Sequence, residues 1–92
     1  MPITEVIAII EARIEWERKE IRDWTRTIDT SVKRLARRID NEEDVILSAK
    51  EARRTAASTE TAIERIAASQ AAIEALEIVI SAIKNLERSM QS

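Results

Sequence analysis

Ile7, Ile14, Ile21, Ile28 and Leu35 recur every seven residues along the first part of the chain. Ile3, Ile10 and Trp24 form a second row, offset by three or four positions and broken only by Glu17. Two apolar rows at this spacing lie along one side of a helix. Sustained over about five heptads, they predict a long helix that packs on other helices. Pro2 suits its first turn, where a missing N–H costs nothing. The period holds over residues 3–39, roughly 55 Å at 1.5 Å per residue. Near its end Val32 and Ile39 join Leu35, as a straight helix drifts against a seven-residue repeat. Val6, Ile9 and Trp16 lie off the stripe, so the first four turns are apolar on two sides and should touch more than one neighbour.

Lys33, Arg34, Arg37 and Arg38 crowd the end of this helix, and Asp40, Glu42, Glu43 and Asp44 follow at once. A basic cluster can bind nucleic acid. It can also complement the negative end of a helix dipole, with the acids serving the positive end of the next helix. The sign changes where the break is expected, which favours the dipole reading. Asp40 and Asn41 are the expected turn, at residues 40–41, with Asn41 capping the second helix and Asp44 three positions on in a variant capping box. So short a connection makes the two helices antiparallel neighbours.

The second helix is expected over residues 42–90. Its seam combines Val45, Ala52, Thr59, Ile66, Ile73 and Ile80 with Ala62, Ser69, Leu76, Ile83 and Met90. A hairpin folded at 40–41 sets Trp24 opposite Ala56 and Ala57, large against small. Trp16 then falls near Arg65, between Ala62 and Ala68. Ser58 or Thr59 could cap a third helix, but no Gly or Pro stands there to make the break. The same register leaves Ile80, Ile83, Leu86 and Met90 beyond the first helix. An apolar overhang of that kind calls for cover from another chain. The expected oligomer interface is therefore Val6, Ile9, Trp16, Ile78, Val79, Ile83 and Leu86. Thr59, Ser69 and Gln70 are polar residues on or beside the seam. They bond back to their own helix or form buried networks between helices, with Gln70 the best network candidate.

Composition narrows the chemistry. The chain has 92 residues and is 45% hydrophobic and 35% charged, a single small all-α domain and not a disordered segment. A net charge of −2 gives no overall attraction to nucleic acid or an anionic membrane. The longest uncharged run, Ile66 to Ile73, falls well short of the roughly 20 residues that span a bilayer, so no transmembrane segment is expected. The opening MPITEVIAII has no basic region and carries Glu5, unlike a secretion signal.

Without His or Cys there is no nucleophilic triad and no zinc site of the usual kind. Without Gly there is no phosphate-cradling loop. The pairs Glu11/Glu15, Glu60/Glu64 and Glu74/Glu77 lack the histidine that di-iron bundles use. No catalytic residue, cofactor, metal or small-molecule substrate is expected.

Two long helices joined by Ile-Asp-Asn-Glu-Glu-Asp, with Thr59, Ser69 and Gln70 by the seam, resemble computationally designed helical-hairpin homo-oligomers. That resemblance implies a bundle or barrel in which each chain gives one helix to an inner ring and one to an outer ring. Hydrogen-bond networks would set the subunit number. The expectation is a self-assembling scaffold. The alternative is a natural adaptor, chaperone or inhibitor that holds a partner helix at its open apolar end. Bacterial secreted hairpins of the WXG type have similar length, but their Trp-x-Gly turn is missing.

Overall fold

The computed structural model describes residues 2–91. They form two antiparallel helices, α1 (Ile3–Asn41) and α2 (Val45–Gln91), with no strand among the described residues. The all-α hairpin is as expected. It is a rod of 73 × 16 × 14 Å.

The turn lies at Glu42, Glu43 and Asp44, later than residues 40–41. Asn41 is the last residue of α1 and not a cap for α2. Its Nδ2 donates to the Arg37 carbonyl at 2.9 Å, and the Glu42 N–H donates to the Ile39 carbonyl at 3.3 Å. Asp44 caps α2 instead. Its Oδ1 accepts the N–H groups of Ile46 at 2.8 Å and Leu47 at 3.3 Å, while its own N–H donates to Glu42 Oε1 at 3.0 Å. A carboxylate at this position satisfies two orphan donors and also meets the positive end of the helix dipole. Glu42 leaves α1 in an extended conformation, and no described residue has positive φ. The chain therefore turns without the left-handed residue that glycine usually supplies.

No third helix starts at Ser58 or Thr59, because α2 runs through them unbroken. Just beyond, the Thr61 hydroxyl donates to the Ala57 carbonyl at 3.2 Å and so bonds within the helix instead of capping a new one.

Both predicted seams are observed over most of their length, but Val32 and Ile39, expected to join the first, are exposed. In α1 the less exposed positions step by three and four from Ile3 to Leu35, with Ile14 and Glu17 buried. In α2 they step the same way from Ser48 to Glu87, with Ala62, Ser69 and Ile73 buried. The seam ends short of both predicted limits, since Val45 is 80% and Met90 73% exposed. Two helices share only one contact stripe, so the core is a single row of interdigitated side chains.

The register between the helices differs from the expected one. A turn at 40–41 would set Arg38 level with residue 43 and Arg18 level with residue 63. The structure pairs Arg38 with Glu51 and Arg18 with Glu77, each at 3.6 Å. Two effects add. The turn comes later in the chain, and side chains lean toward the N-terminus of their own helix. In an antiparallel pair the leans are opposed, so each α1 residue meets a partner further along α2. Ala56 and Ala57 are exposed, so they are not the seam residues that face the half-buried Trp24. The same shift shortens the overhang. Ile80 and Ile83 are half-buried within the seam, and only Leu86 and Met90 stand exposed near the end.

Candidate functional site

The ion pair of Arg18 and Glu77 marks one broad face of the hairpin. Two positions toward the open end stand Trp16 on α1 and Val79 on α2. Two residues turn a helix by about 200°. The pseudo-two-fold relation of antiparallel helices carries both side chains to the opposite broad face, at one level. Seven residues further toward the open end, Ile9 and Leu86 repeat the arrangement. All four are exposed: Ile9 58%, Trp16 48%, Val79 44% and Leu86 60%. Between and below them on α2, Ala68, Ala72, Ala75 and Ala82 recur at the same spacing of three and four. Val6, half-buried, lies on this side of α1.

Four of the seven expected interface residues are thus exposed on one face, Ile9, Trp16, Val79 and Leu86, with Val6 half-buried at its edge. Ile78 is not among them. It is 70% exposed but sits on the side of α2 turned away from α1. Ile83 is not free surface either, because it lies half-buried in the seam.

The character of each face changes along the rod. On the face of the Arg18–Glu77 pair, the heptad-related positions toward the turn are Thr25, Val32 and Ile39 on α1 and Gln70, Ile63 and Ala56 on α2. Charge at the open end gives way to apolar residues near the turn. There Leu35, Ala52, Ala56 and Ile63 line a shallow groove, and Val32 and Ile63 are about half exposed. The opposite face changes the other way, from Ile9, Trp16, Val79 and Leu86 to Arg34, Arg38, Glu51 and Arg54 around a polar groove. The hairpin therefore carries two apolar patches, diagonal to each other.

The basic cluster is partly occupied within the chain. Glu51 forms ion pairs with both Arg38 and Arg54 at 3.6 Å, and Lys33 pairs with Asp29 at 3.0 Å. Arg38 stands in the last turn of α1, where a cation complements the helix dipole.

The polar seam residues behave as separate side chains. Ser69 is buried, Thr59 half-buried, and Gln70 exposed. Among the described residues no side-chain hydrogen bond joins the two helices, so Gln70 does not anchor a network within one chain. Thr25 and Thr27 donate to carbonyls four residues back, the helix-local alternative. Among the described residues no group of His, Cys, Asp or Glu is placed to hold a metal ion.

Glu17 interrupts the apolar row yet is one of the most buried side chains, paired with Arg13 at 3.1 Å. A polar residue at a seam position was visible in the sequence. Its partner was legible only as one of several i,i+4 pairs.

Helix α2 contains an 18-residue stretch of mean hydropathy 1.6 with no more than two charged residues. By length and composition alone it could cross a membrane. The longest uninterrupted uncharged run has only eight residues, Ile66 to Ile73, whereas a stretch that tolerates two charges is longer.

Compared with protein-family models, curated proteins and solved structures, the chain matches none.

Proposed function

We propose that this chain is a self-assembling structural element, a helical hairpin that buries its free apolar surface against further copies of itself and carries out no catalysis. The accessible surface supports this most directly. The hairpin exposes 7178 Å². A compact monomer of 10.5 kDa would expose about 5,400 Å². Much of the surplus belongs to large aliphatic and aromatic side chains that a two-helix rod cannot cover.

The two helices differ in a way that fits the reading. Helix α1 has one dominant apolar stripe and, apart from Ile9 and Trp16 in its first turns, a largely charged remainder, the pattern of an outer helix. The second half of α2 is alanine and large aliphatics on most sides, the pattern of a helix enclosed all round. Enclosure by protein suits it better than enclosure by lipid. Glu74 and Glu77 lie within its most apolar half, Glu77 engages Arg18, and an ionised side chain at mid-bilayer costs about 2.5–3.5 kcal/mol. The resemblance to designed hairpin oligomers, with an inner and an outer helix per chain, points the same way.

Sedimentation equilibrium of the purified chain is the test. A defined homo-oligomer at micromolar concentration is expected. A well-folded monomer at that concentration would end the proposal. A heterogeneous, sticky monomer that becomes uniform only with a foreign helix would favour the adaptor reading instead.

A further inference from the structure

We propose that the polar groove near the turn binds a phosphate dianion through Arg34, Arg37, Arg38 and Arg54. The site goes beyond the self-assembly reading and does not depend on it.

The groove lies on the face opposite Val32 and Ile63, where α1 nears its end and α2 begins. Ser31, Glu51 and Thr55 are half-buried along its floor, and Arg34, Arg38 and Arg54 stand exposed on its rims. A second polar depression continues it to the turn and adds Arg37, Asn41 and Glu42. Helix spacing explains the convergence. Arg34 is three residues from Arg37 and four from Arg38, so all three lie on one side of α1. Arg54 joins them from α2, because Glu51 pairs with both Arg38 and Arg54 at 3.6 Å.

A net charge of −2 for the chain hides a local surplus of positive charge. The four guanidiniums share the two depressions with two carboxylates, Glu51 and Glu42. Glu51 serves two of the four, and among the described residues Arg34 and Arg37 have no carboxylate partner. Of the other acids at the turn, Asp44 is engaged by backbone N–H groups, and Asp40 and Glu43 line neither depression. The negative end of α1 and the positive end of α2 lie side by side here and offset each other. What remains matches the charge of one phosphate dianion.

The donor types fit the same ligand. Every cation in the groove is arginine, whereas Lys33 pairs with Asp29 elsewhere on α1. A guanidinium presents a planar fork that can meet two phosphate oxygens at once. The hydroxyls differ from those outside the groove. Thr25, Thr27 and Thr61 donate to carbonyls of their own helix. Ser31, Thr55 and Ser58, which line the groove, make no such bond among the described residues. Their hydroxyls are available to an oxyanion held by the arginines.

Titration calorimetry with inorganic phosphate tests the site, beside sedimentation with phosphatidylcholine vesicles doped with phosphatidic acid, which carry the same group on a lipid. Wild type should bind phosphate saturably. Arg34→Gln and Arg38→Gln should each weaken binding about 10-fold, as loss of a hydrogen bond to a charged group does. Arg22→Gln removes the same charge from an exposed position of α1 outside the groove and should bind like wild type. Glu51→Gln frees two guanidiniums and should tighten binding several-fold, while Glu60→Gln, by the apolar groove, should change nothing. These are surface substitutions, and circular dichroism confirms that each variant is folded.

Capture by the doped vesicles alone, lost in Arg34→Gln and Arg38→Gln, makes a lipid headgroup the source and supports the site. No saturable binding to either probe overturns it. So does an Arg22→Gln variant as weak as Arg34→Gln, which would mean that overall charge and not the groove attracts the anion. None of these readouts is the oligomeric state, so the site and the self-assembly reading fail separately.

Discussion

Arg13 lies over Trp16, its guanidinium carbon 4.2 Å from the ring centroid, and the same side chain pairs with Glu17 at 3.1 Å. One half-exposed cation thus serves two neighbours of opposite character. It neutralises a carboxylate that sits in the apolar seam, and it screens the outer face of an exposed indole. The spacing of three and four residues along α1 makes both contacts possible at once.

The first prediction follows from that arrangement. Removing Arg13 leaves the Glu17 carboxylate buried without its cation. Buried charges that lose a partner are costly, although the exposure of Arg13 lets water soften the loss. Arg13→Ala should destabilise the hairpin by about 1–3 kcal/mol. Glu17→Leu should be neutral or stabilising, since it completes the apolar row. Urea denaturation of the two variants checks the pair. A destabilised Glu17→Leu with an unaffected Arg13→Ala would mean that the charge is not desolvated.

The seams were legible because their period depends only on helix geometry, which residues three and four apart report directly. Glu17 and Ser31 occupy seam positions despite being polar, and a heptad count finds them without any structure. The level of one helix against the other was not legible in the same way. It depends on where the turn falls and on the opposed lean of side chains, and neither leaves a periodic trace. Asn41 and Asp44 are both good caps, so composition could not choose between them. The structure chooses Asp44, and the later turn carries Trp24 away from Ala56 and Ala57, which are exposed. The open-end patch was half visible. Ile9 and Trp16 stood out as apolar residues off the main stripe, and Val79 and Leu86 as apolar surface crowding or overhanging the second seam. That they share one face, and that Ile78 does not, required the Arg18–Glu77 pair to fix the rotation of both helices.

The second prediction concerns the turn. Asp44 Oδ1 accepts two backbone N–H groups at the start of α2, whereas the Asn41 amide makes one exposed bond at the end of α1. Asp44→Ala should cost about 1 kcal/mol, the usual value of an N-cap. In a domain of this size that lowers Tm by roughly 4–8 °C. Asn41→Ala should cost less than Asp44→Ala. Thermal melts followed by circular dichroism decide it, and the reverse order would restore Asn41 as the cap.

A third prediction tests the register. Ala62 is fully enclosed between the helices at 0% exposure, while Ala56 is exposed. Ala62→Leu adds three carbons where there is no room and should cost about 1–3 kcal/mol. Ala56→Leu should fall within about 0.5 kcal/mol of wild type, as surface substitutions do. Denaturation midpoints of both proteins give the answer. A larger cost at Ala56 would return that residue to a position beneath Trp24.

The last prediction separates the core of the hairpin from its outer surface with one residue type. Ile73 and Ile78 stand five residues apart on α2, which turns them about 140° from each other. Ile73 is 6% exposed in the seam, and Ile78 is 70% exposed on the side away from α1. Ile73→Ala removes three carbons from a single-layer core. Core truncations of this kind cost about 2–5 kcal/mol, and a two-helix seam that can close partly around the gap belongs at the lower end. Ile78→Ala removes the same atoms from water and replaces a β-branched residue with the best helix former, so stability should stay level or rise by a few tenths of a kcal/mol. Both signs refer to the single hairpin, in which Ile78 stands in solvent. Urea titrations at two protein concentrations check this. If Ile78→Ala loses stability only at the higher concentration, Ile78 belongs to an intermolecular interface, and that interface wraps further around α2 than the open-end face.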